Sequence, residues 1–214
     1  EVLSMINLDG TLNDIAGDYA GIDRLEARQL IVGELENLGI IEKTELIEHS
    51  LSISQRTGSV IEPLVSKQWF VNIKPLALNA IKVVENKQIQ FVPERFEKTY
   101  IHWMKNIRDW TISRQIWWGH RIPVWYCDQC SKEIVAFNDP DSCPDCESSH
   151  IFQDEDTLDT WFSSGLWPHS TLGWPNQEDD DLNKFYPTQV METGYDIIFF
   201  WVARMIMLSI YNMD

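Results

Sequence analysis

Four cysteines constrain this chain more tightly than any other feature. They fall within twenty residues, as Cys127-Asp-Gln-Cys130 and Cys143-Pro-Asp-Cys146 with twelve residues between the pairs. Two C-x2-C turns can set four thiolates at the corners of a tetrahedron, each about 2.3 Å from a zinc ion, and the residues between them then form the short hairpin of a zinc ribbon. Four soft ligands leave no open position, so such a site is structural rather than catalytic. The competing reading is a redox C-x-x-C pair, but nothing around either turn resembles a thioredoxin context. His150 could replace one sulfur, although four sulfurs already fill the shell. The first thirty residues lack the basic start and apolar block of a secretory signal, so clustered cysteines here point to a reducing cytoplasm.

The 214 residues allow one or two domains, and a hydrophobic content of 44% is enough for a core. All ten tryptophans lie between Trp69 and Trp201, so a core or pocket in that stretch is built from large flat side chains. With 33 acidic against 17 basic residues the net charge is −16, which excludes an independent nucleic-acid binder, since phosphate affinity comes from clustered Lys and Arg. Any RNA contact is local, near Arg95, Lys105, Arg114 and Arg121. The longest apolar run, Ile197 to Ile210, contains Arg204 and falls short of the roughly 20 residues a membrane span needs. A chain that begins at Glu1 and stops just after this run reads as an internal piece of a longer protein.

Taken in order, residues 2–8 suggest a strand closed by the turn Asp9-Gly10. Leu25, Leu30, Ile31, Leu35 and Leu38 recur at helical spacing, with Asp23 as N-cap and Gly39 past the end, and the early charges Asp23, Arg24, Glu26 and Arg28 read as a cap and a solvated face. A short strand pair is expected over 42–61 around Gln55-Arg-Thr-Gly58, then a strand over 66–73 and helices over 76–85 and 96–106. Polar Ser113-Arg114-Gln115 interrupts the strand-like aromatic run 108–126, and such a break in local consistency often marks a functional site. Helix formation is expected near Asp156 to Phe162. Residues 187–208 read as strand, tight turn at Thr193-Gly194 and buried helix.

That last joint is the candidate ligand site. In an open α/β sheet, ligands bind outside the carboxyl ends of the strands, and this position carries Glu192, Gly194 and Asp196, two carboxylates and a glycine suited to a sugar's hydroxyls. Helix capping by Glu192 and a solvated Asp196 would be the structural alternative. Trp161 and Trp201 could face one another there, with Ile197 one turn before Trp201, and enclose a small apolar side chain. Packing of both indoles into a core is the other reading.

Asp109-Trp-Thr-Ile-Ser-Arg-Gln-Ile-Trp-Trp-Gly-His-Arg-Ile-Pro123, Asp156-Thr-Leu-Asp-Thr-Trp-Phe-Ser-Ser-Gly-Leu-Trp-Pro168 and Glu192-Thr-Gly-Tyr-Asp-Ile-Ile-Phe-Phe-Trp-Val-Ala-Arg-Met205 resemble the valyl-type class I aminoacyl-tRNA synthetases. Ile6-Asn-Leu-Asp-Gly10, Gly21-Ile-Asp-Arg-Leu-Glu-Ala-Arg28, Ile61 to Val71 and Phe91 to Phe96 extend the likeness to nearly the whole chain. It is weaker over 42–58 and 176–183. The resemblance implies an α/β fold, the second half of a Rossmann-type nucleotide-binding domain. Its catalytic parts would span 59–126 and 151–214, with the zinc knuckle inserted at 127–150, and the C-terminal part of an editing domain, α+β or β-barrel in kind, would precede them over 1–58.

The resemblance further implies that Glu192, Gly194 and Asp196 hold the adenosine ribose of an aminoacyl-adenylate and that Trp161, Ile197 and Trp201 line the valine pocket. Arg114, Gln115 and Trp118 become candidates for a tRNA acceptor contact or for support of the site loop. The parent enzyme would join L-valine to tRNA(Val) in the cytoplasm as a monomer, using ATP and Mg2+, with zinc as a structural ion. Two signatures of the family, His-Ile-Gly-His and Lys-Met-Ser-Lys-Ser, do not occur in this sequence, nor does the Thr-Pro-Ala-His-Asp segment of the editing pocket. The chain is therefore expected to carry parts of two active sites and to be inactive alone. The rival readings are an isoleucyl-type synthetase and a non-catalytic zinc-ribbon interaction module.

Overall fold

The computed structural model describes residues 3–55 and 57–213, which fall into two compact units, residues 1–67 and 68–214. In the first unit the expected helix forms as α1 (Arg24–Asn37). Asp23 caps it, its Oδ1 accepting the Leu25 N–H at 2.8 Å. At the other end Gly39 sits at φ +66°, and the N–H groups of Gly39 and Ile40 reach back to the carbonyls of Glu36 and Leu35, the paired closing bonds of a helix that ends in a left-handed residue. Its apolar residues stay largely outside: Ala27 is buried, whereas Leu25, Leu30 and Leu38 are exposed.

Elsewhere in this unit the sequence reading needs correcting. Arg24 is not solvated; its Nε donates to Glu62 Oε1 at 2.7 Å in a partly buried pair. Within the described part of 2–8 there is only a bridge from Ile6 to Leu12, and the pair expected over 42–61 is reduced to a bridge from Ile53 to Val60. Val2 and Arg56, which belong to those two expectations, lie outside the described residues. Isolated two-stranded ribbons are marginal without a further layer to pack on, and these segments have little apolar alternation to supply one.

The second unit is built on helices. Ile73, Ala77, Ala80, Ile81 and Val84 repeat at helical spacing and form the buried stripe of α2 (Ile73–Glu85). In α3 (Arg95–Lys105) Tyr100 and Met104 are buried one turn apart, and the Tyr100 hydroxyl donates to the Ala80 carbonyl at 3.1 Å, which satisfies a phenol that burial would otherwise penalise. The chain continues through β1 (Phe70–Val71), β2 (Trp110–Thr111), β3 (Ser113–Arg114), β4 (Val124–Cys127), β5 (Glu133–Val135), β6 (Ile151–Gln153) and β7 (Thr157–Leu158). All pairings are antiparallel: β1 with β2, β3 with β7, and a three-stranded sheet in the order β5-β4-β6.

Three further helices complete the unit. Asp159 caps α4 (Thr160–Ser170), and α5 (Asp180–Phe185) follows. A 3-10 turn (Tyr195–Ile197) and a π-helical turn (Ile198–Val202) then lead without a break into α6 (Ala203–Asn212). α4 and α6 pack closely against each other, and α6 also packs on α2. The strand expected over 188–191 is absent, because a strand exists only by pairing and this segment has no neighbour among the described residues. For the same reason no parallel pairing, as a Rossmann-type sheet would need, is present among them.

Candidate functional site

The cysteines assemble as their spacing predicts. β4 delivers Cys127, and after the Cys130 turn Ser131 adopts φ +58°, its N–H donating to the Cys127 carbonyl at 2.9 Å. The second turn repeats the arrangement: Glu147 is at φ +57° and its N–H bonds the Cys143 carbonyl at 2.9 Å. Two matching knuckles thus face one another. The four sulfurs lie within 4.8 Å of each other, with Cys127–Cys146 and Cys130–Cys143 at 3.5 Å. Tetrahedral zinc with 2.3 Å bonds requires edges of about 3.8 Å, so the cage fits the ion, while 3.5 Å is far too long for a disulfide. The backbone N–H of Cys130, aided by that of Gln129, brings the Cys127 thiol down to about 7, whereas burial and the neighbouring sulfurs leave Cys130 and Cys146 above the usual thiol range, as expected of thiols crowded into one site. His150 is outside the cage.

α4 links two of the three candidate pocket residues, Trp161 and Trp201. Trp161 lies in its first turn, and its N–H points to Asp159 Oδ1 at 3.4 Å. Trp201, on the π-helical turn, donates its indole N–H to the carbonyl of Ser164 at 3.0 Å, which ties the second indole to the helix that carries the first. Phe200 stacks on Trp161 with ring centres 6.0 Å apart. Ile197 ends the 3-10 turn, four residues before Trp201, and is half-buried.

Behind this pair lies a charged hub that sequence reasoning missed. Asp159 is 4% exposed. Its Oδ2 accepts the Trp110 indole N–H at 2.9 Å, pairs with Arg114 Nη2 at 2.9 Å and lies 3.6 Å from Arg204 Nη1. Arg204 places its guanidinium 3.9 Å above the Trp110 ring, and burial pushes its pKa down. The signals were present: an Asp before Thr-Trp-Phe is an N-cap, and a single Arg within an apolar helix needs a buried partner.

The carboxylates stand apart from that hub. Gly194 opens the 3-10 turn, and Asp196 follows two residues later. A Cβ on Gly194 would collide with Asp196 Oδ1, so the glycine is what lets this carboxylate fold back over the chain. Glu192 and Asp196 are both exposed. Arg114 is committed to Asp159 and to the carbonyls of Thr111 and Ser113. Gln115 bonds Gln68 at 3.1 Å and Asp156 at 2.8 Å, while Trp118 is 83% exposed. The break at 113–115 is thus β3, held against β7, with its polar side chains tying loops together. A cavity of about 410 Å³ among Trp103, Trp110, Arg114, Phe199, Arg204 and Met207 shares only Arg114 with the predicted set. Its guanidinium groups do not suit a small aliphatic side chain, so the α4–Trp201 contact is the better guide to an amino-acid pocket.

The chain belongs to the family of tRNA synthetases class I (I, L, M and V), which it matches over residues 7–214. It is 54% identical over 213 residues to a valine--tRNA ligase of Clostridium tetani, covering all of this chain and 24% of the relative. Valine--tRNA ligases of Symbiobacterium thermophilum and Clostridium perfringens are each 57% identical to it, over 98% and 95% of the chain and 23% of their own lengths. The chain therefore spans about a quarter of the length of these relatives. No helix among the described residues is long and apolar enough to cross a membrane.

Proposed function

We propose that this chain is part of a longer cytoplasmic ligase that joins L-valine to tRNA(Val), using ATP with Mg2+, and that it supplies much of the amino-acid pocket. The observation that carries the reading is the Trp201 bond to Ser164, which ties one indole to the helix that carries the other, in a chain whose relatives are valine--tRNA ligases. Trp161, Ile197 and Trp201 enclose the valine side chain, so its size is read by flat, stiff walls. Glu192 and Asp196 accept hydrogen bonds from the adenylate ribose, and Gly194 leaves room for the carboxylate beside it.

Residues 59–126 and 151–214 belong, in this reading, to a Rossmann-type catalytic domain whose remaining strands come from elsewhere in the protein, and residues 1–58 to an editing domain. Cys127, Cys130, Cys143 and Cys146 hold a zinc ion, which closes the 127–150 insertion and takes no part in the chemistry. Arg114 acts by supporting Asp159, and Gln115 by tying the loop before Trp118; the exposed Trp118 is the member of that trio open to a tRNA end. A ribbon module acting alone would have no need of a second indole anchored to the helix of the first.

The test is amino-acid-dependent ATP–pyrophosphate exchange and tRNA charging by the full-length protein. Valine should be strongly preferred, whereas preference for isoleucine would favour the isoleucyl-type alternative. The 214-residue chain alone should show no exchange, since the two phosphate-handling signatures are not in it.

A further inference from the structure

We propose that Gly165 is a positioning residue that sets the width of the amino-acid pocket by fixing how closely α4 approaches α6. The inference rests on the assignment of Trp161, Ile197 and Trp201 to that pocket. Gly165 is buried, and it neighbours Ser164, whose carbonyl anchors Trp201. Trp161 lies four residues before Gly165, on the same side of α4. A Cβ on Gly165 would lie 2.7 Å from Leu208 Cδ1, too close for either atom to stay in place, while the carbonyl carbon and Cβ of Arg204, at 3.6 Å and 3.7 Å, would be in ordinary contact. The missing side chain is therefore what allows the two helices to meet at this depth.

Leu208 has no easy retreat. It is 7% exposed and belongs to a buried run with Met205, Ile206 and Met207, so its methyl cannot turn out to solvent. Close-packed interiors pass such strain to neighbouring elements. A side chain at 165 presses on Leu208, and whatever that methyl does not absorb is passed to the spacing of α4 and α6. Trp161 would travel with α4, while Trp201, rooted on the preceding turn, would see its bond to Ser164 stretched. The gap between the indoles would widen and a longer aliphatic side chain would be admitted.

The experiment measures kcat/KM for valine and isoleucine in the full-length enzyme carrying Gly165→Ala, Leu208→Val, and both together. Gly165→Ala should raise the isoleucine-to-valine ratio by roughly three- to tenfold, part of the discrimination that one methylene gives in an apolar pocket, and should act mainly through KM. Leu208→Val removes the atom nearest the new Cβ, so the double variant should return the ratio toward that of the unmodified enzyme. Leu208→Val alone should leave the ratio unchanged or lower it, and it keeps the proposal open to test if Gly165→Ala does not fold. A ratio unmoved by Gly165→Ala, one that the double variant fails to restore, or one that Leu208→Val alone raises would overturn the proposal. Trp201→Ala separates the two failures: if it too leaves the ratio unchanged, the pocket assignment falls, and if it alone shifts the ratio, only the role of Gly165 does.

Discussion

Within one unit, two regions are held by different forces. The ribbon around β4, β5 and β6 buries Trp125, Cys127, Ile134 and Cys143, with Ala136 and Ile151 against them, and two of its six packed residues are cysteines. The helical body buries a continuous cluster that includes Ile73, Val84, Tyr100, Met104, Trp110, Ile206 and Met207, with Phe91, Trp161 and Phe162 packed around it. So small a set of side chains cannot offset the ordering of some thirty residues, since side-chain burial contributes only about 1.5–3 kcal/mol each and chain entropy costs about 1–2 kcal/mol per residue. On this count the ribbon should depend on a metal held by its four cysteines, and the body should not. Asp154 joins them: its Oδ2 accepts the Tyr126 hydroxyl at 2.7 Å from the ribbon and the Trp69 indole at 2.9 Å from the body.

The largest test of this contrast is removal of the metal. One zinc per chain should be found after purification, and its chelation should remove hydrogen-exchange protection from Val124–Cys127, Glu133–Val135 and the two cysteine turns while leaving α2, α3 and α6 protected. Loss of protection throughout would show that the body also leans on the ion. Truncating the core should do the reverse. Met104→Ala, at a site 2% exposed, should lower the unfolding free energy of the body by about 2–5 kcal/mol without changing the zinc stoichiometry, measured by denaturant titration beside metal analysis. A variant that lost its zinc as well would join the two regions into a single cooperative unit.

The same division explains what could be read in advance. Local rules sufficed for α1, α3, the cysteine cage and the body of α2, because caps, helical spacing and C-x2-C turns are written in neighbouring residues; the strand expected over 66–73 is only Phe70–Val71, and α2 starts at Ile73, three residues early. The strand expected at 188–191 failed because pairing depends on partners distant in sequence, which hydrophobic pattern alone cannot supply. Arg24 misled for a similar reason: its partner, Glu62, is 38 residues away and invisible to a rule about helical neighbours. At the candidate site, the residue types at 161, 197 and 201 were legible, but the contact between Trp201 and a backbone carbonyl could not be. Nor could the meeting of Asp159, Arg114, Arg204 and Trp110: the cap and the lone helical Arg were visible singly, but the four come from the N-cap of α4, β3, α6 and β2.

The proposed enzyme divides its labour between an indole pocket that reads side-chain size and a carboxylate that holds the ribose common to every adenylate. The most direct test of that division compares Trp201→Ala with Asp196→Ala in the full-length enzyme, by kcat/KM for valine and for isoleucine. Trp201→Ala should raise isoleucine relative to valine by roughly ten- to a hundredfold, the worth of a methylene in an apolar pocket, whereas Asp196→Ala should weaken both substrates alike and leave their ratio unchanged. If Trp201→Ala slowed both substrates equally while Asp196→Ala changed their ratio, the assignment of the two roles would be contradicted.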